Sequence, residues 1–253
     1  MKYIIGVIMT DDMHYNNMKN IWIKNMSING SNNMELYFIY GNNNNGKQTE
    51  RIVGDIYNFY GKNKETLFNV LKKTLDFMKY IDNIHNEYII IRSNASTLFN
   101  LPLLKHHMNH LTTFKYAISG TLKSTFQNFP NGISEELIFI SGTNLCLSQE
   151  IVKNCINSRK TIEFYGTSGL LEDVAISKHL FYNMKYDIVY NTSRIDILDQ
   201  IELHNCINGD GVFCFRFKSS NRENDVNKMH HLLNNNFDIK ILLEWINELG
   251  IKI

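Results

Sequence analysis

Apolar and polar positions fall in blocks along this chain, and the blocks change period. The opening stretch, Tyr3-Ile4-Ile5-Gly6-Val7-Ile8-Met9, has no polar alternate position and ends abruptly at Thr10-Asp11-Asp12. A run without alternation predicts a strand covered on both faces, over residues 2–9. Residues 35–40 and 87–91 have the same character and are read as further buried strands. Between them the period lengthens. Leu67, Val70, Leu71, Leu75, Met78 and Ile81 fall at steps of three and four, one face of a helix over 65–81.

The same reading predicts helices over 16–26, 101–111 (with Pro102 in its first turn), 149–157 and 171–182. The last is opened by Glu172 and Asp173, acidic residues that suit the positive end of a helix dipole. Residues 51–57 read as one short extended piece, 137–147 as a strand region, and 166–169 as a flexible break. Late strands are expected over 186–190 and 212–218, and C-terminal helices over 225–233 and 239–249. Strands alternating with helices predict an α/β fold with a largely parallel sheet. The chain shows no internal repeat, heptad run or linker, so a single domain is expected.

Composition narrows this only a little. The chain has 253 residues, 43% of them hydrophobic, enough for one large core. Lys+Arg 26 against Asp+Glu 25 leaves a net charge of +1, which argues against a broad electrostatic grip on nucleic acid or an anionic membrane. The aromatic residues do not alternate with basic ones, so stacking on RNA is not indicated. Cys146, Cys155, Cys206 and Cys214 form no CxxC pair and no zinc spacing with His, so they read as core residues in a reducing compartment. His106 and His110 stand at i, i+4, but no third metal ligand is evident, and with His107 they read as surface residues. The apolar opening is too short for a signal peptide, and no run approaches the ~18 apolar residues of a membrane span. A cytoplasmic location follows as the expectation. Heavy use of Asn, Ile and Lys with only two Pro suggests an AT-rich genome, as in a microbe or large virus. The asparagine run 42–45 is a solvated loop, and the sequon at Asn191 carries little without a secretory signal.

In an open α/β sheet, ligands bind beyond the carboxyl ends of the strands. That rule singles out Thr10, Asp11 and Asp12; Asp55; Arg92, Ser93, Asn94 and Ser96; Gly142, Thr143 and Asn144; and Arg216 with Lys218.

Four of these stretches, in order, resemble the β1,3-galactosyltransferase and fringe-like glycosyltransferases. Asp55-Ile56-Tyr57, followed by the segment 65–75, is similar to the family's "DI…Y-x-N-L-T-x-K-T-L". Residues 88–100 stand in the place of its "K-T-D-D-D-x-F-V-N". Residues 139–148 are similar to its "Y-x-x-G-x-G-Y-V-L-S", and Leu171-Glu172-Asp173-Val174-Ala175-Ile176 to its "E-D-V-x-V-G". The first strand with Ile21-Trp22 is a weaker echo of its opening motif. The resemblance spans about residues 1–190. It implies a GT-A, Rossmann-like fold: a mixed, mostly parallel sheet flanked by helices. It further implies a nucleotide-binding half over 1–110, an acceptor and catalytic half over 111–218, and C-terminal helices over 219–253. The implied partners are a nucleotide-sugar donor, with UDP as the nucleotide, and a glycan or glycoconjugate acceptor.

One departure matters. The family's aspartates hold a divalent cation against the donor diphosphate, but the matching positions here are Asn94, Ala95 and Ser96. The family's late-strand metal-binding His is also missing, and Arg216 and Lys218 stand on that strand instead. Hard cations want carboxylate oxygens, whereas Arg and Lys stabilise phosphate charge directly. The expectation is therefore no bound metal, no cofactor beyond the sugar nucleotide, and Arg216 and Lys218 as the phosphate clamp. The bland alternative makes them surface charges on an edge strand. By the resemblance Asp173 is the catalytic base of an inverting transfer, with Glu172, Gly142, Thr143 and Asn144 on the acceptor side; the bland alternative is a helix cap. Thr10, Asp11, Asp12, Asp55, Ser93, Asn94 and Ser96 are expected near the donor. Arg92 either contacts the donor or is a buried ion-pair partner. Alternatives for the whole chain are a non-catalytic sugar-nucleotide or glycan-binding protein and a retaining transferase.

Overall fold

The computed structural model describes residues 1–42, 46–64, 66, 69–128, 134–205 and 211–248. Residues 43–45 of the asparagine run, Glu65, Leu67 and Phe68 of the predicted helix, Cys206 and Leu249 lie outside the described residues. Contacts group the chain into two compact units. One comprises Met1–Thr10, Asn32–Asn94 and His107–Thr192; the other comprises Asp11–Ser31, Ala95–His106 and Ser193–Ile253.

The first unit is built on a mixed sheet. Its strands are β1 (Lys2–Ile8), β2 (Met34–Tyr40), β3 (Thr49–Val53), β4 (Ile56–Tyr60), β5 (Tyr88–Asn94), β7 (Ala117–Gly120), β10 (Leu145–Ser148) and β11 (Ile188–Asn191), in the spatial order β11-β7-β10-β5-β1-β2-β4-β3. The centre, β5-β1-β2-β4, is parallel throughout. This is why the first, second and third apolar runs lack alternation: both faces are covered, and every residue of β2 is buried. Helix α2 (Val70–Ile84) lays Leu71, Leu75, Met78 and Ile81 on one face, together with Ile4, Ile39, Phe59 and Ile90 of the strands. Helices α4 (Gln149–Asn157), α5 (Arg159–Thr167) and α6 (Glu172–Asn183) add Ile151, Ile162, Ala175 and Leu180 to the same core. Gly6 makes the approach of α2 possible, because a Cβ there would sit 2.5 Å from the Phe77 ring.

The fold class matches the expectation, and residues 101–111 (α3, Leu101–Leu111) and 149–157 are helical as predicted. Several elements differ. The extended piece over 51–57 is an antiparallel pair, β3 and β4, turning through Gly54 at φ 55°. The strand region 137–147 is two strands, β9 (Ser134–Ile140) and β10, parted by a turn, and β9 pairs with β8 (Leu122–Asn128) in a separate hairpin. The flexible break at 166–169 begins inside α5, which runs to Thr167.

At the amino end of this sheet, Glu35 is buried and accepts from Lys2 Nζ at 2.9 Å, Tyr37 Oη at 2.8 Å and His85 Nε2 at 3.0 Å. Burial alone would raise its pKa, but these donors outweigh burial and hold it below the usual carboxylate range. A depressed folded-state pKa gives stability that is present above the unfolded value and is lost as pH falls through the folded one. Glu35→Gln is therefore expected to cost roughly 1–3 kcal/mol at pH 7. The deficit should shrink on acidification below about pH 4.5, which urea titrations at several pH values would read. A deficit independent of pH would mean that packing, not charge, is responsible.

The second unit holds a smaller sheet of β6 (Thr97–Phe99), β12 (Arg194–Ile197), β13 (Ile201–His204) and β14 (Cys214–Phe217), in the order β13-β12-β14-β6. Helix α1 (Met13–Asn29) is anchored to it by Trp22 Nε1, which donates to Ala95 O at 3.1 Å, and by Asn25 Nδ2, which donates to Phe99 O at 2.8 Å. Helix α7 (Arg222–Asn234) packs on α1 and β14, and α8 (Ile239–Glu248) follows it. The strands alternate. Ile195, Ile197, Phe215 and Phe217 take one face; Arg194, Asp196, Cys214 and Arg216 take the other. Among the described residues no helix is long and apolar enough to cross a membrane.

Candidate functional site

In the first unit, the carboxyl end of β5 carries Arg92, Ser93 and Asn94, as expected from the sequence. Arg92 is 5% exposed, and its guanidinium is almost fully engaged. Nε donates to Glu172 Oε1 at 2.9 Å, and Nη2 donates to the second oxygen of the same carboxylate. Nη1 donates to Asn94 Oδ1 at 2.8 Å and to the Gly142 carbonyl. Glu172 also accepts from the Thr74 hydroxyl on α2. Four of the five N–H donors of an arginine thus end on protein acceptors. Burial pushes the Glu172 carboxyl above its usual range, against the pull of the Arg92 charge and the Thr74 hydroxyl; the charge on Asp173 adds to the push.

Asp173 faces another way. Its Oδ2 accepts from the Gly142 N–H at 2.9 Å, and its Oδ1 sits 3.1 Å from its own helix at Val174 N. Leu171, the N-cap of α6, supplies no side-chain cap, so the two acidic residues are what meets the positive helix end. Of this neighbouring pair, Glu172 is bound inward by Arg92 while the partly buried Asp173 is held by a single loop N–H besides its own helix. Gly142 ties the two together, since its carbonyl receives Arg92 and its N–H serves Asp173. A Cβ at Gly142 would lie 2.8 Å from Arg92 Nη1.

Ser93, Thr143 and Asn144 are turned into the fold. Ser93 Oγ donates to Thr143 O at 2.8 Å. Asn144 Nδ2 donates to Thr121 and Thr192 hydroxyls at 3.1 and 2.9 Å, and its Oδ1 accepts from Thr121 N at 3.2 Å. Asp55 is a correction. It precedes β4, which runs parallel to β2, and its carbonyl accepts from Leu36 N near the start of that strand. It therefore lies at the amino end of the sheet, away from the strand ends where Arg92 and Asn94 stand. Thr10 closes β1 and is half-buried. Lys73, which sequence reasoning passed over, is buried with Nζ 3.2 Å from the Met9 carbonyl, also at the carboxyl end of β1. His107 and His110 bond hydroxyls, Ser119 Oγ at 2.6 Å and Tyr190 Oη at 2.5 Å, and His106 is exposed.

In the second unit, Asp12 is the N-cap of α1, accepting from His14 N and Tyr15 N, while Asp11 is exposed. Ser96 lends its carbonyl to Phe217 N. The polar face of the small sheet carries a charged row. Strand register sets Glu202, Asp196, Arg216 and Thr97 side by side, with His204 and Arg194 in the next row. Arg194 is fully buried and closes on Asp196, Nε to Oδ1 at 2.6 Å and Nη2 to Oδ2 at 2.9 Å. Asp196 Oδ2 also receives His204 Nε2 at 3.2 Å and lies 3.5 Å from Arg216 Nη1. Among the described residues, Arg216 Nε is buried without a hydrogen-bond partner. Beside it Lys218 is exposed at the end of β14 and makes no ion pair among the described residues; its pKa is depressed, first by the Arg216 charge, then by partial burial and by Arg222.

Neither cluster suits the divalent cation that the resemblance implies. Asn94 Oδ1 is held by a guanidinium, and the Ala95 and Ser96 carbonyls are taken by Trp22 and Phe217. Asp196, Glu202 and His204 do bring three ligand atoms within 4.8 Å of one another. The Asp196 carboxylate is, however, already closed by the Arg194 fork, and the Arg216 charge 3.5 Å away repels a cation.

No protein-family profile matches the chain, and no curated protein does. Among solved structures, the chain is similar to the galactosyltransferase LgtC in complex with donor and acceptor sugar analogs, with a TM-score of 0.51 and 11% identity over 91% of this chain and 96% of that one. It is similar also to a glycosyltransferase involved in glycosylation of the major capsid of PBCV-1, at TM-score 0.49 and 8% identity over 91% and 100% of the two chains. A third neighbour is the 2-C-methyl-D-erythritol 4-phosphate cytidylyltransferase of Francisella tularensis, at 0.46 and 10% over 90% and 98%. Of these likenesses, only that to LgtC exceeds a TM-score of 0.5, and it shows the fold alone, a mixed α/β sheet of Rossmann-like type. They do not single out the β1,3-galactosyltransferase and fringe-like branch.

Proposed function

We propose that this chain is an inverting glycosyltransferase. It moves a hexosyl or N-acetylhexosaminyl group from a UDP-sugar to a hydroxyl of a glycan or glycoconjugate, with side-chain cations in place of a metal. The observation that carries the reading is the cation pair on β14. Among the described residues, Arg216 Nε is buried without a hydrogen-bond partner and Lys218 has no ion pair, its charge being disfavoured first by Arg216. Two like charges side by side repel until a multiply charged anion turns both interactions favourable. A nucleoside diphosphate is such an anion, and LgtC, which shares the fold, is a galactosyltransferase with donor and acceptor sugar analogs bound.

The reaction then runs as a single displacement. The bond from the anomeric carbon to the diphosphate oxygen breaks, and its electron pair stays on the phosphate, where Arg216 and Lys218 stabilise the charge. The acceptor oxygen bonds to that carbon from the opposite face and gives up its proton to a carboxylate base, the role that the resemblance assigns to Asp173. Gly142 N–H holds that carboxylate in place.

Release of UDP from UDP-glucose, UDP-galactose and UDP-N-acetylglucosamine, followed with EDTA and with manganese, tests this. Turnover is expected to survive EDTA. Arg216→Ala should lower kcat/KM roughly 10–100-fold, the worth of a charge-assisted contact to phosphate. Turnover that appears only with manganese would refute the metal-free mechanism. Donor binding without turnover across the panel would favour a non-catalytic sugar-nucleotide-binding protein.

A further inference from the structure

Next to the first turn of α6 the first unit contains a cavity of about 580 Å³, between the start of α2 and the α5–α6 connection. A space of this size suits a small ligand, since ligand pockets run roughly 300–1,000 Å³. Its walls are mainly apolar, with Val70, Leu71, Leu170 and Leu171 in the lining. Leu171 is 74% exposed, although the helix that it opens buries Val174, Ala175 and Ile176. Two glycines shape the space. Gly166 lies within α5, where glycine is a poor helix former, and a Cβ there would come 2.6 Å from Leu71 Cδ2. Gly169 has φ 94° and nothing within 4 Å of where a Cβ would be.

The charges in the wall argue about the occupant. Glu163 is held by Arg159 at 2.7 Å, and Glu172 by Arg92. Among the described residues Lys72 is the one cation in the lining, too little for a diphosphate. The cavity therefore suits a neutral ligand with an apolar part. It ends at Glu172, the chain neighbour of Asp173.

We propose that this cavity is an acceptor subsite that takes the alkyl or aryl portion of a glycoside. The proposal rests on the glycosyltransferase reading for the word acceptor, but binding of the apolar portion can be measured without donor or turnover.

The probes are octyl β-D-glucoside and octyl β-D-galactoside, below their micellar concentrations, with the corresponding methyl glycosides as controls. Calorimetric titration of the intact chain without donor should show at least one octyl glycoside binding about tenfold or more tightly than its methyl counterpart, a typical gain for burying part of an alkyl chain. Gly166→Leu should fill the space and abolish the octyl preference. Leu171→Ser removes one apolar wall while placing a favoured residue at the N-cap of α6. It should therefore weaken octyl binding severalfold with Tm unchanged or raised. Equal affinity for octyl and methyl glycosides, or an octyl preference that survives both substitutions, would overturn the proposal. Octyl binding as expected but no UDP release with any donor would leave the cavity standing and sink the catalytic reading instead.

Discussion

Asp173→Asn is expected to lower turnover by roughly 10²–10⁴-fold, the usual worth of a positioned general base, while leaving UDP affinity and thermal stability nearly unchanged. The reasoning depends on how the carboxylate is held. Gly142 N–H donates to Oδ2 at 2.9 Å, and an asparagine carbonyl can accept the same bond. The substitution therefore keeps the turn at 141–144 and the start of α6 but removes the group that takes the acceptor proton. The competing account makes Asp173 only a complement to the helix dipole, worth about 0.3–1 kcal/mol of stability and nothing in rate. The two accounts separate cleanly. Under the first, kcat collapses and Tm holds; under the second, Tm drifts by a degree or two and kcat holds. Asp173→Ala adds a control, because it loses the Gly142 bond as well and should cost stability in either case. If Asp173→Asn retains more than a tenth of wild-type turnover, the base lies elsewhere.

The architecture of the first unit was largely open to reading from the sequence, because strands buried on both faces leave unbroken apolar runs. Lys2–Ile8 and Met34–Tyr40 announced themselves in this way. The second unit was harder for a definite reason. Its strands Arg194–Ile197 and Ile201–His204 are only four residues long, and Arg194 and Asp196 are buried on the face where apolar residues would be expected. The period-two alternation of Arg194-Ile195-Asp196-Ile197 and Ile201-Glu202-Leu203-His204 was a usable signal, but it was masked by charges that only a cross-strand partner could justify. Asp55 shows another limit. Reading 51–57 as one extended piece hid the turn at Gly54, and with it the direction of the strand that follows, which decides at which end of the sheet the residue stands. Arg92 shows a third. Its acceptors on Gly142 and Glu172 lie 50 and 80 residues along the chain, and no local pattern announces such a bond.

That long-range pair carries the largest expected effect on stability. Arg92→Ala is expected to destabilise the protein by about 3–5 kcal/mol, because it strands a buried carboxylate rather than because the pair itself contributes that much. The raised pKa of Glu172 points the same way, since burial presses on its charged form and the Arg92 charge is the first influence opposing that. For a chain of this length such a loss lowers Tm by roughly 10 °C. Arg92→Lys should recover only part of it, since a lysine supplies charge without the fork that spans both Glu172 oxygens. The double substitution Arg92→Met with Glu172→Leu should recover most of it, because neither charge is then left buried alone. The double variant also decides between the two roles open to Arg92. If the residue serves only to hold Glu172 and the Gly142 loop, the repacked protein keeps its affinity for UDP. If Arg92 also reaches the donor, the same protein melts near the wild-type temperature yet binds UDP at least tenfold more weakly. Thermal melts and UDP titrations on the four proteins measure both, and a single variant Arg92→Ala with unchanged Tm would show that the pair holds nothing in place.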